Sequence, residues 1–169
     1  YAISTSPTGE RSFTYWRSTS AAREVFKSAD GYDFGALAGY DLVYLSGISV
    51  AILPVAARKA LLDWLSQNPV RFAFDSNYRP RLWESKAVAK EVIGQFWERS
   101  DILLPSIDDE MALFDEDETA VVRRFSRYRG RGALKRGAEG PLAIGSNVAQ
   151  NYSKAADVVD TTAAGDSFN

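Results

Sequence analysis

Short apolar runs of strand length, each followed by a stretch of helical periodicity, constrain this chain more than anything else in it. They are Asp41 to Leu45 (D-L-V-Y-L), Val70 to Phe74 (V-R-F-A-F) and Ile102 to Leu104, the last stopped by Pro105. Pro54 opens a helix running to about Gln67 with Leu61, Leu62 and Leu65 inward, and Asn68-Pro69 ends it. Glu84 to Arg99, Asp108 to Phe114 and Thr119 to Tyr128 read as further helices, and Ala133 to Arg136 and Leu142 to Ile144 as further strands. The acidic run Asp115-Glu116-Asp117-Glu118 reads as a solvated turn and a helix start. Strands alternating with crossover helices imply right-handed connections and a parallel sheet, hence an α/β fold. Ahead of this core, Tyr1 to Thr5 and Arg11 to Arg17 alternate around Pro7-Thr8-Gly9, the pattern of a β-hairpin. Ser20 to Phe26 and Gly35 to Gly39 read as helical or loop, with Gly31 as a break.

Composition removes several classes of function. The 169 residues, 46% hydrophobic, are one domain's worth of chain with material for a core. There is no cysteine and no histidine, which excludes disulfides, thiolate nucleophiles, imidazole catalysis and the usual zinc sites. A net charge of −2 argues against a nucleic-acid partner, which calls for a basic face. No apolar run approaches membrane-spanning length and no signal peptide is visible, so a cytoplasmic protein without a membrane partner is expected.

In open α/β sheets, ligands bind beyond the carboxyl ends of the strands. Those ends are Ser46-Gly47-Ile48, Asp75 to Arg79, Ser106 to Asp109 and Lys135-Arg136-Gly137, each polar or glycine-rich directly after an apolar run. In D-S-N-Y-R-P-R-L-W, Asp75 to Trp83, Asn77 and Arg79 share a face if the segment stays extended, and Pro80 holds Arg79 away from helical geometry. Such an arginine can clamp a carboxylate with two parallel hydrogen bonds; the plainer alternative is a surface charge beside a turn. K-R-G-A-E-G, Lys135 to Gly140, is by itself a β-turn pattern. At the end of the sequence, D-T-T-A-A-G-D-S-F-N leads through Thr162, Ala163, Ala164 and Gly165 to Asp166, and Ser167 to Asn169 read as the first turn of a helix. A helix start offers unpaired N–H groups to an anion, and a carboxylate beside it can take a proton from a hydroxyl. A lone Gly-Asp pair there is as simply an acid complementing the helix dipole.

Together these strings, in unbroken order from Arg11 to Asn169, resemble the ribokinase-like (PfkB) carbohydrate kinases, and within them the 2-keto-3-deoxygluconate kinase branch. D-T-T-A-A-G-D resembles the signature D-T-x-G-A-G-D, whose second Asp is the catalytic base. The resemblance therefore implies Asp166 as base and substrate contact, and Ala163, Ala164 and Gly165 as the anion hole. Ala163 stands where the signature has its first glycine, so its backbone is expected in a region open to alanine. The Asp75 to Trp83 string resembles D-x-N-x-R-x-x-L-W, which implies Asn77 and Arg79 on the substrate, the arginine on its carboxylate. E-R-S-F-T-Y-W-R resembles a lid strand and implies Tyr15 and Arg17 on the sugar acid, with Ile48 a further substrate-side position. K-R-G-A-E-G resembles the nucleotide-side loop, placing Lys135, Gly137 and Gly140 toward the ATP phosphates. P-S-I-D-D-E falls where relatives carry N-x-x-E, so Ser106 takes the nucleotide-side place and Asp109, with Glu110 as a substitute, the Mg²⁺ place.

The implied architecture is a ribokinase-like three-layer parallel sheet over residues 40–169 with a small β lid from residues 1–17. The implied reaction is ATP-dependent phosphorylation of the 6-hydroxyl of the sugar acid, with Mg²⁺ and with a monovalent cation and homo-oligomerisation left open. Two rival readings are a kinase of a neutral sugar or nucleoside, which needs fewer arginines, and a non-catalytic sugar-acid-binding remnant. The chain starts inside a strand pattern and stops one turn into a helix, so a longer parent supplying an upstream sugar segment and the adenine pocket is expected, and the 169 residues alone are expected to be inactive. The Gly145 to Lys154 stretch is shorter than the resemblance calls for.

Overall fold

The structure, a computed structural model, describes residues 2–5, 11–14, 20–148, 153 and 163–169. Strands β1 (Ala2–Thr5) and β2 (Arg11–Thr14) pair antiparallel with Ile3 opposite Phe13, the expected hairpin. A smaller hairpin, β3 (Lys27–Ser28) and β4 (Gly31–Tyr32), lies between 3-10 turns at Ala21–Glu24 and Gly35–Gly39. The core then runs β5 (Leu42–Ser46), α1 (Gly47–Ile52), α2 (Val55–Gln67), β6 (Arg71–Asp75), α3 (Lys86–Arg99), β7 (Ile102–Leu104), α4 (Ile107–Phe114), α5 (Glu118–Phe125), β8 (Arg131–Leu134), β9 (Leu142–Ile144) and α6 (Ala164–Phe168).

β5 to β9 form one sheet in sequential order, parallel from β5 to β8. The expected parallel sheet is present from β5 to β8, and β9 adds an antiparallel edge with Leu142 opposite Leu134. The connection is only the 3-10 turn Gly137–Glu139 and its flanks, far too short for a crossover.

Register sorts the strands' side chains. Val43 stands opposite Phe72, Leu45 opposite Phe74 and Phe74 opposite Leu103, so these share one face. Over that face pack Ala57, Leu61 and Leu65 of α2, Ile93, Phe96 and Trp97 of α3, and Val121 and Phe125 of α5. Trp97 meets Phe74 edge-on at 4.8 Å and Phe125 at 5.2 Å. Burying each such side chain contributes about 1.5–3 kcal/mol, which makes this aromatic stack the main anchor of α3 on the sheet. Leu62, expected inward, is only half-buried, because it sits one step off the Ala57–Leu61–Leu65 stripe. On the opposite face Leu42 and Tyr44 are 44% and 45% exposed, so the described helices supply one of the two outer layers that the resemblance implies.

α1 is a helix where the sequence suggests only a strand end. Ser46 caps it through a reciprocal pair with Ser49. A Cβ on Gly47 would lie 1.9 Å from the Ser76 carbonyl oxygen, so glycine is what lets α1 start against the turn after β6. Its far end is closed by Arg58, whose Nε donates to Val50 O and Leu53 O and whose Nη2 donates to Ala51 O. The acidic run is less solvated than expected: Asp115 is held by Lys86 and Lys90, but half-buried Glu116 accepts from Arg124 at 2.9 Å.

Candidate active site

The carboxyl ends of β6, β7 and β8 open on a cavity of about 460 Å³ whose lining includes Asn77, Arg79, Ser106, Asp109, Lys135, Gly137 and the Ala163–Asp166 turn. Asp166 lies in the first turn of α6, and its Oδ1 accepts from the Asn77 side-chain amide at 3.4 Å. Ala163 is left-handed, with φ 57° and ψ 19°, and its carbonyl accepts from Ser167 N–H at 2.8 Å. The expectation of an alanine-friendly conformation is therefore wrong. The turn keeps the shape that the signature's glycine takes freely, and alanine bears it at about 1–2 kcal/mol.

Asn77 and Arg79 do not alternate along one extended face. Asn77 has φ 30° and its N–H is drawn to Asp75 Oδ1 at 3.2 Å, so the chain bends there. Arg79 is extended, at φ −128° and ψ 98°, and Pro80 begins a 3-10 turn after it, as Pro80 requires. The Arg79 guanidinium donates to Tyr78 O at 2.8 Å and lies 3.6 Å from Asp109 Oδ1. Asp109 also accepts from Tyr78 N–H at 3.1 Å, and its burial pushes the carboxyl above the ordinary aspartate range.

Glu110 is removed from the metal assignment. Its side chain is fully buried away from the cavity, accepting from Arg124 Nη2 at 2.9 Å and Trp97 Nε1 at 3.3 Å, and burial pushes it up to about 7. The carboxylates of this helix that do line the cavity are Asp109 and the exposed Asp108, which the sequence did not single out. Among the described residues no three acidic side chains cluster as a self-sufficient metal site. Two carboxylates at the cavity fit Mg²⁺, which takes most of its ligands from phosphates and water.

Ser106 lines the cavity, donates its N–H to Ser76 Oγ at 2.8 Å and bridges in parallel to Lys135. Gly137 turns the chain after Lys135 with φ 53°, a conformation for glycine, whereas Gly140 closes that turn outside the cavity lining. Ile48 sits half-buried in α1 and also lies outside the lining. Tyr15 and Arg17 lie outside the described residues.

Next to Asp166 lies a cluster that sequence reading missed. Asp75, 2% exposed at the end of β6, takes Lys135 Nζ at 2.9 Å and the Asn169 amide at 2.5 Å. Asn169 also accepts from Lys135 Nζ at 3.0 Å and donates to the Tyr44 hydroxyl at 2.9 Å. Burial, reinforced by the Asp75 charge, pushes the Tyr44 hydroxyl above the usual phenol range. The only signal in the sequence was an acid directly closing an apolar strand.

A carboxylate at the head of a short helix, the Lys135 ammonium beside that turn and further carboxylates lining the same cavity suit transfer of an anionic group to a hydroxyl. The 2-dehydro-3-deoxygluconokinase of Dickeya dadantii is 41% identical over 182 residues, covering 100% of this chain and 58% of that enzyme. The enzyme of the same description from Escherichia coli K12 is 39% identical over 180 residues, again across 100% of this chain and 58% of its own length. The chain thus spans little more than half the length of these relatives. Aminoimidazole riboside kinase from Salmonella enterica, solved with aminoimidazole riboside and an ATP analog, superposes with a TM-score of 0.62 at 27% identity, covering 76% of this chain and 45% of that one. The sequence profile of the pfkB family carbohydrate kinases matches residues 1–169, and the chain belongs to that family.

Proposed function

We propose that the full-length protein transfers the γ-phosphoryl group of ATP to the 6-hydroxyl of 2-keto-3-deoxygluconate in the cytoplasm. The observation that carries this is the placement of Asp166, Lys135 and Arg79 on one cavity at the carboxyl edge of the sheet. The relatives at 39–41% identity support the substrate, and the ATP analog in the Salmonella kinase supports the phosphoryl donor.

Asp166 accepts the proton of the sugar hydroxyl as its oxygen bonds to phosphorus and the bond to the ADP oxygen breaks. The Ala163–Asp166 turn and the Lys135 ammonium stabilise the charge on the phosphoryl oxygens in transit. Arg79 holds the substrate carboxylate and orients the hydroxyl toward Asp166, and Tyr15 and Arg17 are further candidate contacts to the sugar acid. Asp109 and Asp108 would hold Mg²⁺ together with phosphates and water, and the ion would supply charge neutralisation on the ATP phosphates.

The test is an assay of ADP release by the full-length protein with ketodeoxygluconate, ribose and fructose in parallel. The sugar acid should give the highest kcat/KM by a wide margin. Preference for ribose or fructose would replace this substrate with a neutral sugar.

A further inference from the structure

Asp75 is the most buried carboxylate bordering the cavity, and nothing in the proposed chemistry uses it directly. A buried carboxylate persists only where its charge is matched. Here Oδ1 receives the Lys135 ammonium and the Asn77 N–H, and Oδ2 receives the Asn169 amide and, at 3.4 Å, the Tyr44 hydroxyl. Two of these partners lead to the base: Asn77 donates its side-chain amide to Asp166, and Asn169 follows Asp166 in the same turn of chain.

Lys135 has three N–H donors. Asp75 and Asn169 occupy two of them among the described residues. The ammonium also stands 4.0 Å from the point a Cβ on Gly165 would occupy, beside the turn that carries Asp166. A lysine left to itself is a mobile point charge on a flexible stem, whereas this one is tethered at a fixed place.

We infer that Asp75 is a positioning residue for phosphoryl transfer: its buried carboxylate holds the Lys135 ammonium beside the Asp166 turn, where the remaining donor meets the phosphoryl group. The inference rests on the kinase reading above. Asp75 touches neither substrate, and its effect passes through Lys135.

The experiment is a double-mutant cycle in the full-length protein with Asp75→Asn, Lys135→Met and the pair, reading kcat, both KM values and Tm. Asp75→Asn should lower kcat on the order of 10–100-fold, the scale of losing a partner that orients a functional group, with the sugar KM nearly unchanged. Lys135→Met should do the same. The double variant should be no more than about threefold slower than the worse single one, because residues acting as a unit do not add. Its Tm should match or exceed that of Asp75→Asn, since no unpaired ammonium remains.

Losses that multiply in the double variant, or wild-type kcat in Asp75→Asn, would overturn the inference. If Asp75→Asn does not fold, Asp75→Glu carries the test, because it keeps the charge and displaces it by one methylene. Reduced kcat at wild-type Tm then supports the role, and unchanged kcat overturns it. If the wild type prefers another sugar, the substrate reading fails and the same cycle is read on that sugar. A wild type inert toward all three sugars overturns both.

Discussion

The Arg79 guanidinium lies 3.6 Å from the Asp109 carboxylate, so the arginine proposed to hold the substrate already has an anionic neighbour in the cavity lining. A carboxylate entering the cavity would share that arginine with Asp109, and the half-exposed guanidinium has further N–H donors to turn toward it.

Arg79→Ala should lower kcat/KM for the sugar acid by about 10–100-fold, the range of one or two charge-assisted hydrogen bonds. Arg79→Lys should be nearly as damaging, because an ammonium lacks the planar fork. A neutral sugar of similar size should be spared. Equal losses on both substrates would make the arginine structural.

Asp166→Asn should reduce kcat by roughly 10²–10⁴-fold, the usual contribution of a general base. The KM values should move little, since the amide keeps the shape and the Asn77 contact. Near-normal turnover in steady-state assays would remove Asp166 from the chemistry.

Ala163→Gly should retain activity and change stability by only about 1 kcal/mol, because relief of the left-handed strain is offset by glycine's greater freedom in the unfolded chain. Ala163→Val should destabilise by more than about 2 kcal/mol, as a branched side chain tolerates φ near 57° poorly. Denaturant melts of the two variants make the comparison; similar curves would show that the turn adapts.

Glu110 carries a pH signature. Burial raises it from the ordinary 4.5 to about 7 against the pull of Arg124 and Trp97. The folded protein therefore holds an extra proton between those values, so this contribution to stability is complete below pH 4.5 and is lost as pH rises through about 7. In Glu110→Gln that component is absent, and the Tm of the wild type relative to the variant should fall between about pH 5 and pH 8. A constant difference across that window would contradict the assignment.

Much of the fold was legible because two periodicities alternate cleanly. β7 is Ile102–Leu104 as expected, and α3 ends at Arg99 as expected. What was not legible depends on partners distant in sequence. Asp109 and Glu110 are adjacent and chemically alike, yet neighbours on a helix point about 100° apart, and only packing against Trp97 shows which one turns inward. The direction of β9 depends on loop length, and α1 is too short to display a period. Asp75 reads as one more acid at a strand end until Lys135 and Asn169 are brought to it from far along the chain. The strings around Asp166 and Arg79, by contrast, marked residues that do meet on one cavity.

Arg58 has a mechanical consequence for that cavity. Besides closing α1, its Nη1 bonds Glu84 at 3.0 Å and its guanidinium stacks over the Trp83 ring, at the far end of the segment that begins with Asn77 and Arg79. The near end of that segment is wedged against Gly47. Both ends of this segment are thus fastened to the same short helix. The segment and the helix respond to load as one stiff bracket, and the backbone that carries Arg79 is fixed at both ends.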